Sequence, residues 1–247
     1  MMQRWLAGNS LLTIIAMLLV LFGTGQRVRA QDTFCEVALV LAIDASSSVN
    51  EHEYRLQMEG TASALLDPEV RDAILSLGGV YISGFEWNGQ SNQSMLFDWT
   101  HVVGEADISR LARQIVDHDR NTTKAPTALG NALGYAHRLM ARAPIRCLRQ
   151  VIDVSGDGIS NDGIRPEDVY QLYDFSEITV NGLAILNPYR RGKTFYEAVD
   201  EYYMRSLLRG PGAFMIVAEG FDDFARAMKV KLLNELAPSP VGSLGRW

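Results

Sequence analysis

Several common functions are excluded by what this sequence lacks. It has only 2 cysteines and 4 histidines in 247 residues, and His52, His101, His118 and His137 stand singly, without the spacing a zinc hydrolase uses. No Gly-x-Ser-x-Gly elbow occurs, and the histidines fall on helix or strand-flank patterns, so a serine hydrolase is poorly supported. There is no glycine-rich loop of the kind that cradles phosphates. A phosphoryl-accepting aspartate at Asp44 would want a second acid two residues on, where Ser46 stands. Lys/Arg-rich blocks are missing too, and acids outnumber bases 29 to 23 for a net charge of -6. That balance argues against nucleic acid and against anionic membrane surfaces, both of which reward clustered cations.

Long apolar runs are also scarce. The longest, Leu11 to Phe22, falls short of the roughly 20 residues a bilayer-spanning helix needs. With Arg4 before it and Val28-Arg29-Ala30 after it, residues 1–30 read as an export signal cleaved after Ala30, an uncleaved anchor being the alternative. Cleavage removes three arginines and no acid, which takes the net charge from -6 to about -9. The expected product is exported, periplasmic or secreted, with no stable membrane span. Its domain covers residues 31–237, a size natural for one α/β domain, and 238–247 form a flexible tail. The two cysteines, Cys35 and Cys147, suggest one disulfide in an exported chain, with two buried thiols as the alternative. Cys35 lies nine residues before Asp44 and Cys147 ten before Asp157. If both strands are parallel neighbours, the cysteines meet at the end opposite those acids, and closing so long a loop contributes roughly 4–5 kcal/mol.

Apolar runs alternate with helical patterns along the whole length, the signature of parallel strands covered by helices. Strands are expected at 36–43, 80–87, 150–154, 178–186 and 213–218, and one at 94–99 as an antiparallel hairpin partner of 80–87. Helices are expected after Asn50 to Asp67-Pro68, at 108–116 capped by Asp107, at 127–141, 166–175, 194–208 and 221–236. The aromatics Phe85, Trp87, Phe97 and Trp99 read as cross-strand packing, with the two tryptophans near enough to strand ends to reach a partner.

Asp44-Ala45-Ser46-Ser47-Ser48 follows an apolar strand and sets one carboxylate and two hydroxyls where it opens into a loop. Hard cations such as magnesium prefer such oxygen donors. Thr127, ahead of Leu129 to Leu133, and Asp157-Gly158, closing a second strand, supply further oxygens from loops that open α/β sheets bring to one crevice. With these residues the chain resembles the von Willebrand factor A (integrin I-like) family, and more narrowly its exported bacterial single-domain members of undefined function. The resemblance spans about 36–236. It departs at Pro126, where the family usually has glycine, and at Ser155-Gly156-Asp157-Gly158, where Thr-Asp-Gly is common. Thr122 and Thr123 share the loop with Thr127 and are alternatives to it.

The resemblance implies a three-layer sandwich with a mostly parallel sheet, one antiparallel edge strand and helices on both faces. It also implies a metal-ion-dependent adhesion site in which Ser46, Ser48 and Thr127 are direct ligands, while Asp44 and Asp157 act directly or through water. The ion is Mg2+, or Ca2+ or Mn2+ in its place. The function expected is non-enzymatic: capture of a protein or peptide through an acidic side chain that completes the metal shell. A metal-assisted hydrolase on the same ligands, or a scaffold without functional metal, are the rival readings. The basic loop Tyr189-Arg190-Arg191-Gly192-Lys193 is placed to steer an acidic partner.

Overall fold

Strand β1 (Val37–Asp44) is buried along all eight of its residues, so both of its faces need cover. The fold answers with helices on each side of a mostly parallel sheet. In the computed structural model the described residues are 35–121, 123–186 and 198–237. The export signal expected at 1–30, the tail at 238–247, the basic loop at 189–193 and Thr122 lie outside them.

After β1 come α1 (Glu51–Leu66), α2 (Pro68–Ser76), β2 (Val80–Asn88), β3 (Asn92–Val102) and α3 (Glu105–Val116). The second half holds α4 (Leu129–Met140), β4 (Arg149–Gly156), α5 (Pro166–Leu172), β5 (Ile178–Ile185), α6 (Val199–Ser206), β6 (Met215–Ala218) and α7 (Phe224–Leu236), the last entered through a 3-10 turn at Phe221–Asp223. The strand order is β3-β2-β1-β4-β5-β6. Only the β2–β3 pair is antiparallel, which gives the three-layer α/β sandwich with one antiparallel edge. Leu39, Leu41 and Ile43 pack with residues of α1, α2, α3 and α7, while Ala38, Val40 and Ala42 pack with residues of α4, α5 and α6.

Winding runs outward from β1 in one direction and from β4 in the other, so the reversal falls between these two central strands. Ligand sites of open α/β sheets form at the carboxyl ends of such a pair. Here the register pairs Val37 with Arg149 and Ile43 with Ser155. The same offset of 112 residues separates Cys35 from Cys147, which are bonded with their Cα atoms 4.5 Å apart. One register therefore fixes the disulfide at one end of the sheet and carries Asp44 and Asp157 to the other.

Local chemistry explains most element ends. Asn50 accepts hydrogen bonds from the backbone N–H groups of His52 and Glu53, and the Glu53 carboxylate accepts from the Asn50 N–H, a reciprocal box that starts α1 just beyond the serine loop. Helix α2 was not expected from sequence: Asp67-Pro68 does not stop the helical path but restarts it, with Pro68 at a first-turn position and Asp67 accepting from Glu69 N–H. Asp107 is not the cap of α3. Gly104 occupies that position, and the Asp107 carboxylate, inside the first turn, accepts from Val103 N–H. The hairpin aromatics pack across the strands as expected, against residues other than one another: Phe85 faces Met95, Trp87 faces Gln93, and Phe97 lies over Gly84. Trp87 is fully buried and unavailable to a partner, while the Trp99 indole N–H donates to the Leu139 carbonyl.

A buried ionic group sits between β4, β5 and α7. Lys231 Nζ lies 2.7 Å from Asp153 Oδ1 and 2.6 Å from Glu235 Oε1, with all three side chains essentially inaccessible. Asn181 Nδ2 donates to Glu235 Oε1 at 2.9 Å. Burial, then the neighbouring Glu235, push the Asp153 carboxyl up to about 7 against the pull of Lys231. Removing the cation leaves two buried acids uncompensated, so Lys231→Met is expected to cost about 3–5 kcal/mol in urea unfolding. A loss below about 1 kcal/mol would contradict the role given to this cluster.

Candidate metal centre

Three loops meet at the carboxyl ends of β1 and β4. The first leaves β1 at Asp44, whose Oδ1 accepts from the Ser46 N–H at 2.7 Å and curls the chain back on itself. Side chains far away in sequence hold the curl. Gln57 Nε2 donates to the Asp44 carbonyl at 2.9 Å. The Arg120 guanidinium donates to the carbonyls of Ala45 at 3.0 Å and Val49 at 2.7 Å and lies 4.9 Å from the centre of the Tyr54 ring. Asn88 Nδ2 bridges the carbonyls of Ala45 and Thr123, and the Ser47 N–H donates to the Ala125 carbonyl. Glu86 braces this corner from beneath, accepting from the Tyr54 hydroxyl at 2.5 Å and from the Asn121 N–H at 2.7 Å.

The second loop ends at Thr127, just ahead of α4. It is locked to the third loop by a reciprocal pair: Thr127 N–H donates to Asn161 Oδ1, and Asn161 N–H donates to the Thr127 carbonyl, both at 2.9 Å. The third loop opens at Asp157, one residue past β4. Gly130, on the first turn of α4, allows the close approach this needs, because a Cβ there would stand 2.1 Å from the Ile164 carbonyl oxygen. The small residues of α4 thus admit a loop as well as the sheet.

All five residues singled out from the sequence converge. Thr127 Oγ1 lies 3.4 Å from Ser46 Oγ, Ser46 Oγ lies 3.1 Å from Ser48 Oγ, and Ser48 Oγ donates to Asp157 Oδ1 at 2.7 Å. Asp44, Ser46, Thr127 and Asp157 are buried, and Ser48 is exposed at the mouth. Of the two alternative threonines, Thr123 is exposed.

This donor set fits a hard divalent cation on three counts. Neighbouring ligands of an octahedral Mg2+ at about 2.1 Å are separated by about 3 Å, which is the spacing of these hydroxyls. Asp44 is fully buried, and among the described residues its Oδ2 has no hydrogen-bond partner. Burial, followed by repulsion from Asp157, pushes its carboxyl up to about 7 despite the Ser46 N–H, a misfit that a nearby cation relieves. The donors are oxygens throughout, three hydroxyls and two carboxylates.

Gln57, Asn88, Arg120 and Asn161 hold the loops but belong to no sequence motif. The final position of β2 was the one local hint for Asn88, since it ends a strand beside the crevice.

The shift at Asp44 has a definite sign. Its folded pKa lies above the unfolded value of 3.8, so the folded protein holds this proton more tightly and loses the associated stability as pH rises through about 4 to 7. Asp153 adds the same slope. In EDTA the melting temperature is expected to fall across that window, with Asp44→Asn flattening part of the fall. Saturating Mg2+ should raise the melting temperature more at pH 8 than at pH 5.5. An unchanged slope in Asp44→Asn, or equal Mg2+ effects at both pH values, would contradict the assignment.

The same fold occurs in solved proteins of low identity. A von Willebrand factor type A protein from Catenulispora acidiphila aligns with a TM-score of 0.56 at 14% identity, over 82% of this chain and 43% of that one. Proximal thread matrix protein 1 from the mussel byssus, in a structure with a zinc-occupied MIDAS motif, aligns with a TM-score of 0.55 at 16% identity, over 82% and 46%. BatB from Bacteroides thetaiotaomicron aligns with a TM-score of 0.56 at 16% identity, over 82% of this chain and 100% of its own. The chain thus spans less than half of the first two proteins. No curated protein sequence matches it. Residues 34–240 match the family described as "Protein of unknown function (DUF1194)", and the chain belongs to that family, on a von Willebrand factor A fold.

Proposed function

We propose that this is an exported, metal-dependent binding domain of the adhesion type, which captures a protein or peptide through an acidic side chain. The observation that carries the reading is the unbroken line of oxygens from Thr127 through Ser46 and Ser48 to Asp157. Ser46, Ser48 and Thr127 are assigned as direct ligands of Mg2+, Ca2+ or Mn2+, with Asp44 and Asp157 binding directly or through water. The ion would supply a Lewis-acidic position toward solvent. Two carboxylates and three neutral hydroxyls leave it electrophilic, so a visiting carboxylate is the natural last ligand. Ser48, at the exposed mouth, marks the side from which that carboxylate arrives.

Binding is favoured over hydrolysis because the residues that hold the loops are spent on the loops themselves. His137 contacts the Asp174 carbonyl and so has a partner of its own, and His118 Nε2 lies 3.7 Å from the buried Glu86. The zinc-occupied MIDAS of the byssus protein supports divalent metal in this kind of crevice. The Cys35–Cys147 bond supports export of the domain, and residues 1–30 are proposed to be its cleaved signal. The loop at 189–193 is proposed to steer the acidic partner.

Isothermal titration with Mg2+, Ca2+ and Mn2+ tests the site, with an array of Asp- and Glu-containing peptides read in metal and in EDTA for the ligand. The expected result is one ion per chain, lost in Asp157→Ala, and peptide capture that vanishes with EDTA or on Glu→Gln exchange in the peptide. Absence of ion binding in the wild type, or undiminished binding in Asp157→Ala, would overturn the proposal.

A further inference from the structure

Tyr203 reaches toward the same crevice along the face of the sheet that α4 also covers. It stands on α6, beyond β5, yet its ring is fully buried and its hydroxyl has no hydrogen-bond partner among the described residues. Two glycines on adjacent strands make its path. A Cβ on Gly182 of β5 would stand 3.0 Å from the ring carbon Cδ2, and a Cβ on Gly156 of β4 would stand 2.5 Å from the hydroxyl oxygen. That second Cβ would also lie 2.8 Å from Asp44 Oδ2. The phenol therefore lies across β5 and reaches β4, and its oxygen ends beside the carboxylate of β1.

The two orphaned atoms, Tyr203 Oη and Asp44 Oδ2, are complementary, one a donor and the other an acceptor. Their separation is no greater than those two distances laid end to end, which puts the phenol within reach of one bridging water. Leaving a buried hydroxyl and a buried carboxylate oxygen both unsatisfied is costly, and a single water answers both. The Asp44 Oδ1 atom already has its donor in the Ser46 N–H. The Asp157 N–H and the Ser46 hydroxyl also favour the charged carboxyl, but Oδ2 has no hydrogen-bond partner among the described residues.

We infer that Tyr203 is a positioning residue of the metal centre, holding Asp44 Oδ2 through one water lodged against Gly156. This inference rests on the proposed metal site. It gives a reason for glycine at 156 and 182, and it ties α6 to the crevice. Groups that orient a ligating carboxylate from behind typically govern metal affinity by about 10–100-fold.

Mn2+ titration of Tyr203→Phe, paired with thermal unfolding in EDTA, tests it. The expected outcome is Mn2+ affinity weakened about 10–100-fold, with a melting temperature in EDTA near that of the wild type. In an Asp44→Asn background the same substitution is expected to change Mn2+ affinity little, because its target oxygen has gone. Gly156→Ala should mimic the loss; since it risks misfolding, Tyr203→Phe carries the decision. Affinity within twofold of wild type in Tyr203→Phe would overturn the inference alone, as would an affinity loss equally large in both backgrounds. A wild type that binds no Mn2+ would overturn the metal reading and this inference with it.

Discussion

The pairing of β1 with β4 is the constraint on which the rest of the structure depends. Parallel pairing at an offset of 112 residues bonds Cys35 to Cys147 at one end and brings the last residue of β1 to the end of β4 at the other. A shift of that register by one residue would turn the side chains of β1 over between its two covered faces. The sheet reverses its winding between these strands, so no crossover covers their carboxyl ends, and the crevice left there receives the two acids. Burial, and then repulsion between the two neighbouring carboxylates, drives Asp44 well above the ordinary carboxylate range. The hydroxyls of Ser46, Ser48 and Thr127 line the space beside them.

The contrast with the other buried acids makes that point within one molecule. Asp153 lies on the same strand as the approach to Asp157, three residues before Gly156, and it too is buried beside a second acid. There the cation is built in as Lys231. At the crevice the Ser48 hydroxyl donates to Asp157 and the Ser46 N–H to Asp44; Arg120 gives its hydrogen bonds to backbone carbonyls of the serine loop. Fixed charge serves the core, and fixed geometry serves the site.

Much of this was legible in the sequence because it is local. The apolar run 37–43 with its serine loop, the Asn50 cap and the hairpin of the second and third strands all read correctly from neighbouring residues, and Asp44, Ser46, Ser48, Thr127 and Asp157 come together. What could not be read depends on partners far along the chain. Asp67-Pro68 reads as a stop or as a restart with equal justice, and only packing of Val70 and Ile74 in the core decides for the restart. Asp107 has the composition of a cap, yet Gly104 provides the extended backbone that starts the helix. Tyr203 and Gly182 are unremarkable in their own segments. They acquire meaning only when β5 is laid beside β4.

Anomalous diffraction from crystals grown with Mn2+ is the most direct check on the convergence of the three loops around one ion. A single peak within bonding distance of the hydroxyl oxygens of Ser46, Ser48 and Thr127, with Asp44 and Asp157 contacting it directly or through one water, is the predicted result. A peak held by other residues, or none at this crevice at saturating Mn2+, would contradict it.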